Sequence, residues 1–157
     1  MANYNVTGAG GTAGHPSNGR IPYLVENTID VSAINGDTGT ADGDILMALD
    51  IPAETLVMAA GVQVLTALSS SATIDLGDDD TADIYVDGDT NATGYSVIHS
   101  DLAALGKVYG SADTIDAKIH GAASSAGKIR VWAVMVDISG IDENDRNTDT
   151  QHDTAVS

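Results

Sequence analysis

Seven carboxylates fall within fifteen residues of this chain: Asp75, Asp78, Asp79, Asp80, Asp83, Asp87 and Asp89. Carboxylates held this close repel one another, and a hard cation such as Ca²⁺ would relieve the repulsion by taking oxygen ligands. The spacing is not that of an EF-hand. With Asp78 as the first position, Asp83 stands where the sharp turn needs glycine, and Asp89 stands where a bidentate glutamate belongs. The simpler expectation is a solvated acidic loop joining strands around Ile74 and Ile84, with no metal ligand assigned. Carboxylate pairs can also hydrolyse glycosides, but one acid must then be raised in pKa by an apolar pocket. Nearly every Asp here sits in a turn-like, solvated stretch. Aromatic platforms for a sugar are scarce, with five Tyr, one Trp and no Phe.

The other chemistry-bearing residues form no constellation. His15, His99, His120 and His152 are far apart, without the HxH or HExxH pairing of a zinc site. Ser69-Ser70-Ser71 is a polar turn, no GxSxG elbow is present, and nucleophile, base and orienter cannot be assembled. The stretch Gly8-Ala9-Gly10-Gly11-Thr12-Ala13-Gly14 resembles a phosphate loop only in its glycines. It follows no apolar strand, precedes no helix and lacks the lysine of such a loop. No catalytic, cofactor-binding or metal residue is assigned, and the chain is read as non-enzymatic.

Composition narrows the partners. Six Lys and Arg against 23 Asp and Glu give a net charge of −17. Nucleic-acid backbones need cationic neutralisation, and the few cations here are scattered, so neither nucleic acid nor an anionic membrane surface is an expected partner. No apolar run approaches the length of a membrane span, and residues 1–20 lack the basic start and apolar run of a signal peptide. With no Cys, disulfides and thiolate metal sites are excluded. Of the 67 hydrophobic residues 22 are Ala, which bury little area each, so contacts between subunits are a natural source of further burial.

Three zones differ along the chain. Residues 1–19 are rich in Gly, Asn, Ser and Thr and suggest a flexible arm. Residues 140–157 are polar and acidic and suggest a second one. The domain, 20–139, alternates at period two, which is the mark of half-buried strands. Val25, Ile29, Val31 and Ala33 alternate with Glu26, Thr28, Asp30 and Ser32. Ile45, Met47, Leu49 and Ile51 form a second stripe, Leu56, Met58, Ala60, Val62 and Val64 a third, and Ile115, Ala117 and Ile119 a fourth. Lys128 to Ile138 is apolar on both faces in its middle, as expected of a central strand or one facing a second layer or subunit. Turn clusters at Asn35-Gly36-Asp37, Asp42-Gly43-Asp44 and Asp87-Gly88-Asp89 separate the stripes. The expected fold is all-β, an antiparallel β-sandwich or jelly roll, with one short helix at Ser100 to Leu105.

Several of these strand phrases resemble those of small virion proteins of tailed bacteriophages, cyanophages in particular. They are Gly43 to Leu46 with Leu49 to Val57, Ala60 to Ala67, Thr73 to Asp78 with Ile84 to Gly88, and Gly127 to Asp137. The resemblance implies a capsid decoration (cement) protein, often a homotrimer. Such a protein is assembled in the host cytoplasm and sits on the outer capsid surface, where it clamps the major capsid protein lattice. The alternative carried alongside is a host-glycan-binding module of a phage tail or head fibre.

Overall fold

The computed structural model describes residues 21–89, 96–98 and 106–139, with backbone only at Asp89 and at 96–98. The expected arms, the helix at Ser100 to Leu105, and His15, His99 and His152 lie outside the described residues.

The described chain is an all-β sandwich. Its strands are β1 (Tyr23–Asp30), β2 (Ile45–Ile51), β3 (Thr55–Thr66), β4 (Thr73–Gly77), β5 (Val86–Asp89), β6 (Ser96–Ile98), β7 (Lys107–Tyr109), β8 (Asp113–His120) and β9 (Lys128–Asp137). The first sheet runs β1-β9-β3-β6, with β7 also pairing with β3, and the second runs β2-β8-β4-β5. Every pairing is antiparallel. As the double-sided apolar pattern of Lys128 to Ile138 implies, β9 is central, flanked by β1 and β3.

The core lies between the sheets. Val57, Val64, Ile129, Val131 and Met135 from the first meet Ile51, Ile74, Leu76, Ile115 and Ile119 from the second, all 1% exposed or less. Burying each such side chain contributes about 1.5–3 kcal/mol. Ala48, Ala60, Ala72, Ala117 and Ala133 fill the remaining positions, so the core is dense but made from small groups. The stripe Ile115, Ala117 and Ile119 is fully buried, as the alternation implied.

Three other stripes are broken, each for a local reason. The first does not continue as a strand through Val31 and Ala33, because Asp30 ends β1. Its carboxylate accepts from the Ser32 N–H at 3.1 Å and the Ser32 hydroxyl at 2.5 Å, capping a 3-10 turn at Val31–Ala33. The second is interrupted by a bulge between Met47 and Leu49. An extra residue reverses which side chains face inward, so Leu46 and Ala48 point to the core before it and Leu49 and Ile51 after it. Ile45 and Met47 are left 57% and 76% exposed. The Asn27 side chain donates to the Ala48 carbonyl at 3.0 Å, which joins the edge strands β1 and β2. A second bulge, between Val57 and Ala59, puts Val57 inside and leaves Met58 44% exposed. Leu56 and Met58 are therefore outward, contrary to the stripe. Ile84 lies in the turn before β5 rather than in a strand.

Two seams close the sandwich. Thr40 and Ser124 exchange backbone hydrogen bonds at 2.8 and 2.9 Å. The buried Ser124 hydroxyl donates to the Ala126 carbonyl and accepts from the Ser69 N–H at 3.0 Å. Ser69 is thus a turn residue bonded to a neighbouring turn, in keeping with the polar turn expected at Ser69 to Ser71.

Candidate functional site

The acidic segment is not the solvated loop its composition suggested. Asp75 lies on β4 and Asp78 just beyond it, and they are only 6% and 3% exposed. The reason is a reversal immediately after β4. Gly77 lies so close to the loop that a side chain there would strike the Thr81 and Ala82 backbone. The loop folds back, the Asp78 N–H bonds the Thr81 carbonyl at 3.1 Å, and the Tyr85 N–H bonds the Leu76 carbonyl at 2.8 Å. Asp79, Asp80 and Asp83 remain exposed, as expected.

Asp78 is the hub of this turn. One carboxylate oxygen accepts from the N–H groups of Asp80 (3.1 Å) and Thr81 (3.0 Å). The other accepts from the Lys107 ammonium and the Tyr109 hydroxyl, both at 2.5 Å. With its proton given to Asp78, the Tyr109 oxygen receives the Tyr85 hydroxyl at 2.6 Å. Tyr85, Tyr109, Asp78 and Lys107 thus form one line of hydrogen bonds. It fastens β7 of the first sheet to the β4–β5 turn of the second. The Lys107 ammonium also sits 4.8 Å from the Tyr109 ring centre, a cation–π distance.

Burial alone would push the Asp78 carboxyl up, but the bonds from Lys107, Tyr109 and the Thr81 N–H outweigh it and hold the group below the ordinary carboxylate range. Burial, together with the Asp78 charge, pushes the Tyr85 hydroxyl up to about 12 against a partial offset from Tyr109. Burial and the bond to Asp78 push Tyr109 higher still. A carboxylate this fully engaged and two phenols held protonated form a structural tie, not an acid–base pair poised near neutrality.

Asp116, on β8 beneath the loop, behaves oppositely. Burial raises its carboxyl, the Thr114 hydroxyl bond at 2.7 Å pulls the other way, and the charges of Asp79, Asp113 and Asp78 add to the rise. A folded pKa above the unfolded one means that ionisation opposes folding. The penalty is absent below the unfolded pKa, grows as pH rises through it, and is complete above the raised folded value. Asp116→Asn keeps an acceptor for Thr114 and is expected to stabilise the protein at pH 7 by a few tenths to about 1 kcal/mol. Urea midpoints should show that gain disappearing near pH 3.

Asp75 accepts the Gly88 N–H at 2.8 Å and lies 3.6 Å from the His120 ring, so it joins β4, β5 and β8. Among the described residues, no three acids or histidines are grouped so as to hold a metal ion. Sequence reasoning missed Lys107, Tyr85 and Tyr109, which lie 29, 7 and 31 residues from Asp78 and carry no local motif.

The two outer faces of the sandwich differ in charge. The strand register turns Asp50, Asp75 and Asp116 outward on the second sheet beside Lys118, but Asp75 and Asp116 are buried, and the exposed acids are Asp50 with Asp79 and Asp80 of the loop. Among the described residues, the outward charged side chains on the first sheet are Glu26, Asp30, Lys128 and Arg130, which form two pairs, Lys128–Asp30 at 3.1 Å and Arg130–Glu26 at 3.7 Å. The rest of that face is mainly apolar. Leu24 and Val108 are 61% and 55% exposed, and Trp132 and Val134 are half-buried.

Neither a protein-family model nor a curated protein sequence matches this chain. Solved structures do share its fold. A chain from the cyanophage Pam1 capsid asymmetric unit aligns over 73% of this chain and 84% of its own length, with a TM-score of 0.59 and 16% identity. One from the capsid of Ralstonia phage GP4 aligns over 75% and 86%, with a TM-score of 0.57 and 16% identity. One from the acidic stable capsid of Helicobacter pylori bacteriophage KHP30 aligns over 74% and 87%, with a TM-score of 0.55 and 12% identity. At these identities the likeness is one of fold.

Proposed function

We propose that this chain is a non-enzymatic virion protein that decorates a phage capsid. It binds the outer surface of the major capsid protein lattice as a homotrimer and stabilises the head. The observation that carries this reading is the shared fold. Chains from three phage capsids align with nearly three quarters of this one and with more than four fifths of their own length.

The physical character of the domain supports it. Buried Asp78, Tyr85 and Tyr109 fasten the two sheets together, and Asp75 ties strands within the second, leaving contact surface as the output. A protein repeated over a lattice holds by many modest contacts at once, so no single contact need be strong. The acidic outer face of the second sheet suits a surface turned to solvent, where like charges keep neighbouring particles apart.

The test is add-back. Particles produced without this protein should take up the purified chain to saturation and then release DNA at a higher temperature than undecorated particles. Failure to bind assembled capsids, together with affinity for host surface glycans, would favour a fibre module instead.

A further inference from the structure

We infer that the outer face of the first sheet, from Leu24 across Trp132 and Val134 to Val108, is where copies of this chain meet. The inference rests on the self-association in the reading above and names the surface responsible.

Leu24 and Val108 are exposed large hydrophobics on a single face, with Leu56, Trp132 and Val134 half-buried between them. The register puts all five on the same side. Leu24 pairs with Val134, Glu26 with Trp132, Leu56 with Val136, and Val108 with Leu56. An apolar band that crosses adjacent strands marks a contact surface rather than scattered exposure.

Charge selects the occupant. Every copy carries −17, so two copies repel through most approaches. The first-sheet face is the exception, because the four outward charges among its described residues cancel in pairs. The second-sheet face, where Asp50, Asp79 and Asp80 are exposed against Lys118, would meet its like at high electrostatic cost. Arg130 keeps donor capacity on the favoured face. Its side chain is 39% exposed, and its pair with Glu26 at 3.7 Å is longer than a hydrogen bond. A carboxylate of a neighbouring acidic chain can approach the exposed part of this guanidinium more closely than Glu26 does.

Strand order gives the mode of contact. Leu24 lies on the edge strand β1 and Val108 on β7, at the opposite side of the sheet. The β1 side of one copy set against the β7 side of the next is a heterologous contact, which closes into a ring when the rotation permits. It also supplies the apolar burial that an alanine-rich core provides only sparingly.

The sole tryptophan of the chain, Trp132, sits in the band and reports on it. Sedimentation velocity of the wild type should give a closed oligomer, about 48 kDa for three copies of the 16.0 kDa chain, with Trp132 emission shifted to the blue. L24E/V108E, with its β-sheet circular dichroism retained, should sediment as a monomer, a threefold loss of mass, with emission shifted to the red. The exposed pair on the other sheet is the control, and I45E/M47E should keep the wild-type mass. If the double variant loses its sheet spectrum, the single variants serve, since each position is more than half exposed. A wild-type oligomer untouched by L24E/V108E would overturn this surface while leaving self-association standing. A wild type monomeric at every concentration would overturn both.

Discussion

Asp78→Ala is expected to destabilise the domain by about 3 kcal/mol, the range for removing one partner of a buried ion pair. The loss should exceed what one hydrogen bond contributes, because four donors lose their acceptor together: the Asp80 and Thr81 N–H groups, the Lys107 ammonium and the Tyr109 hydroxyl. Of these, Tyr109 is 5% exposed and cannot turn to water without opening the join between β7 and the β4–β5 turn. Tyr109→Phe removes one donor from Asp78 and the acceptor of the Tyr85 hydroxyl, and is expected to cost roughly 1–2 kcal/mol.

The effect carries a pH signature. The folded pKa of Asp78 is depressed, so its contribution is fully present above the unfolded carboxylate pKa and is lost as pH falls through the folded value. The difference in urea midpoint between wild type and Asp78→Ala should be constant from pH 6 to 8 and shrink in strong acid. An equal difference at all pH values would mean that the carboxylate charge plays no part.

Gly77→Ala is expected to cost about 3 kcal/mol, at the upper end of overpacking effects. The atoms a methyl group would strike are the backbone of Thr81 and Ala82, which cannot rotate aside as a flexible side chain would. The loop must lift, and in lifting it withdraws the Thr81 N–H from Asp78 and admits water to Asp116. Two consequences separate this mechanism from a general loss of packing. Gly77→Ala and Asp78→Ala should be markedly less than additive, because both undo the same turn. The neutral-pH gain from Asp116→Asn should diminish in the Gly77→Ala background. Gly110→Ala, where an added methyl group meets nothing within 4 Å, is the control and should stay within about 0.5 kcal/mol of wild type.

These two residues mark where the sequence speaks and where it falls silent. Period-two alternation carries the sheet assignment wherever a strand is regular. Ile115, Ala117 and Ile119 are buried as their spacing implied, and the double-sided run through Val131 to Val136 is the central strand of its sheet. The stripes through Met47 and Met58 fail because a bulge is a relation between two strands, and one strand alone carries no sign of it. Asp30 ends β1 through a bond to Ser32, which an alternating pattern passes over.

The acidic run misled for a different reason. Composition averages over residues, whereas burial is decided one at a time. Asp79, Asp80 and Asp83 are exposed, but Asp75 and Asp78 are enclosed by partners from β5, β7 and β8. Lys107 and Tyr109 could not be recognised as those partners before the sheets came together. The charge balance of the outer first-sheet face was likewise hidden, since it depends on which of the few cations stand opposite Glu26 and Asp30.

The central claim is that this sandwich works as repeated contact surface on a virion. The most direct measurement is its copy number relative to the major capsid protein in purified particles, by quantitative mass spectrometry. The account predicts an abundance of the same order as the coat protein, lost together with head stability when the gene is removed. A handful of copies per particle, or none, would contradict it.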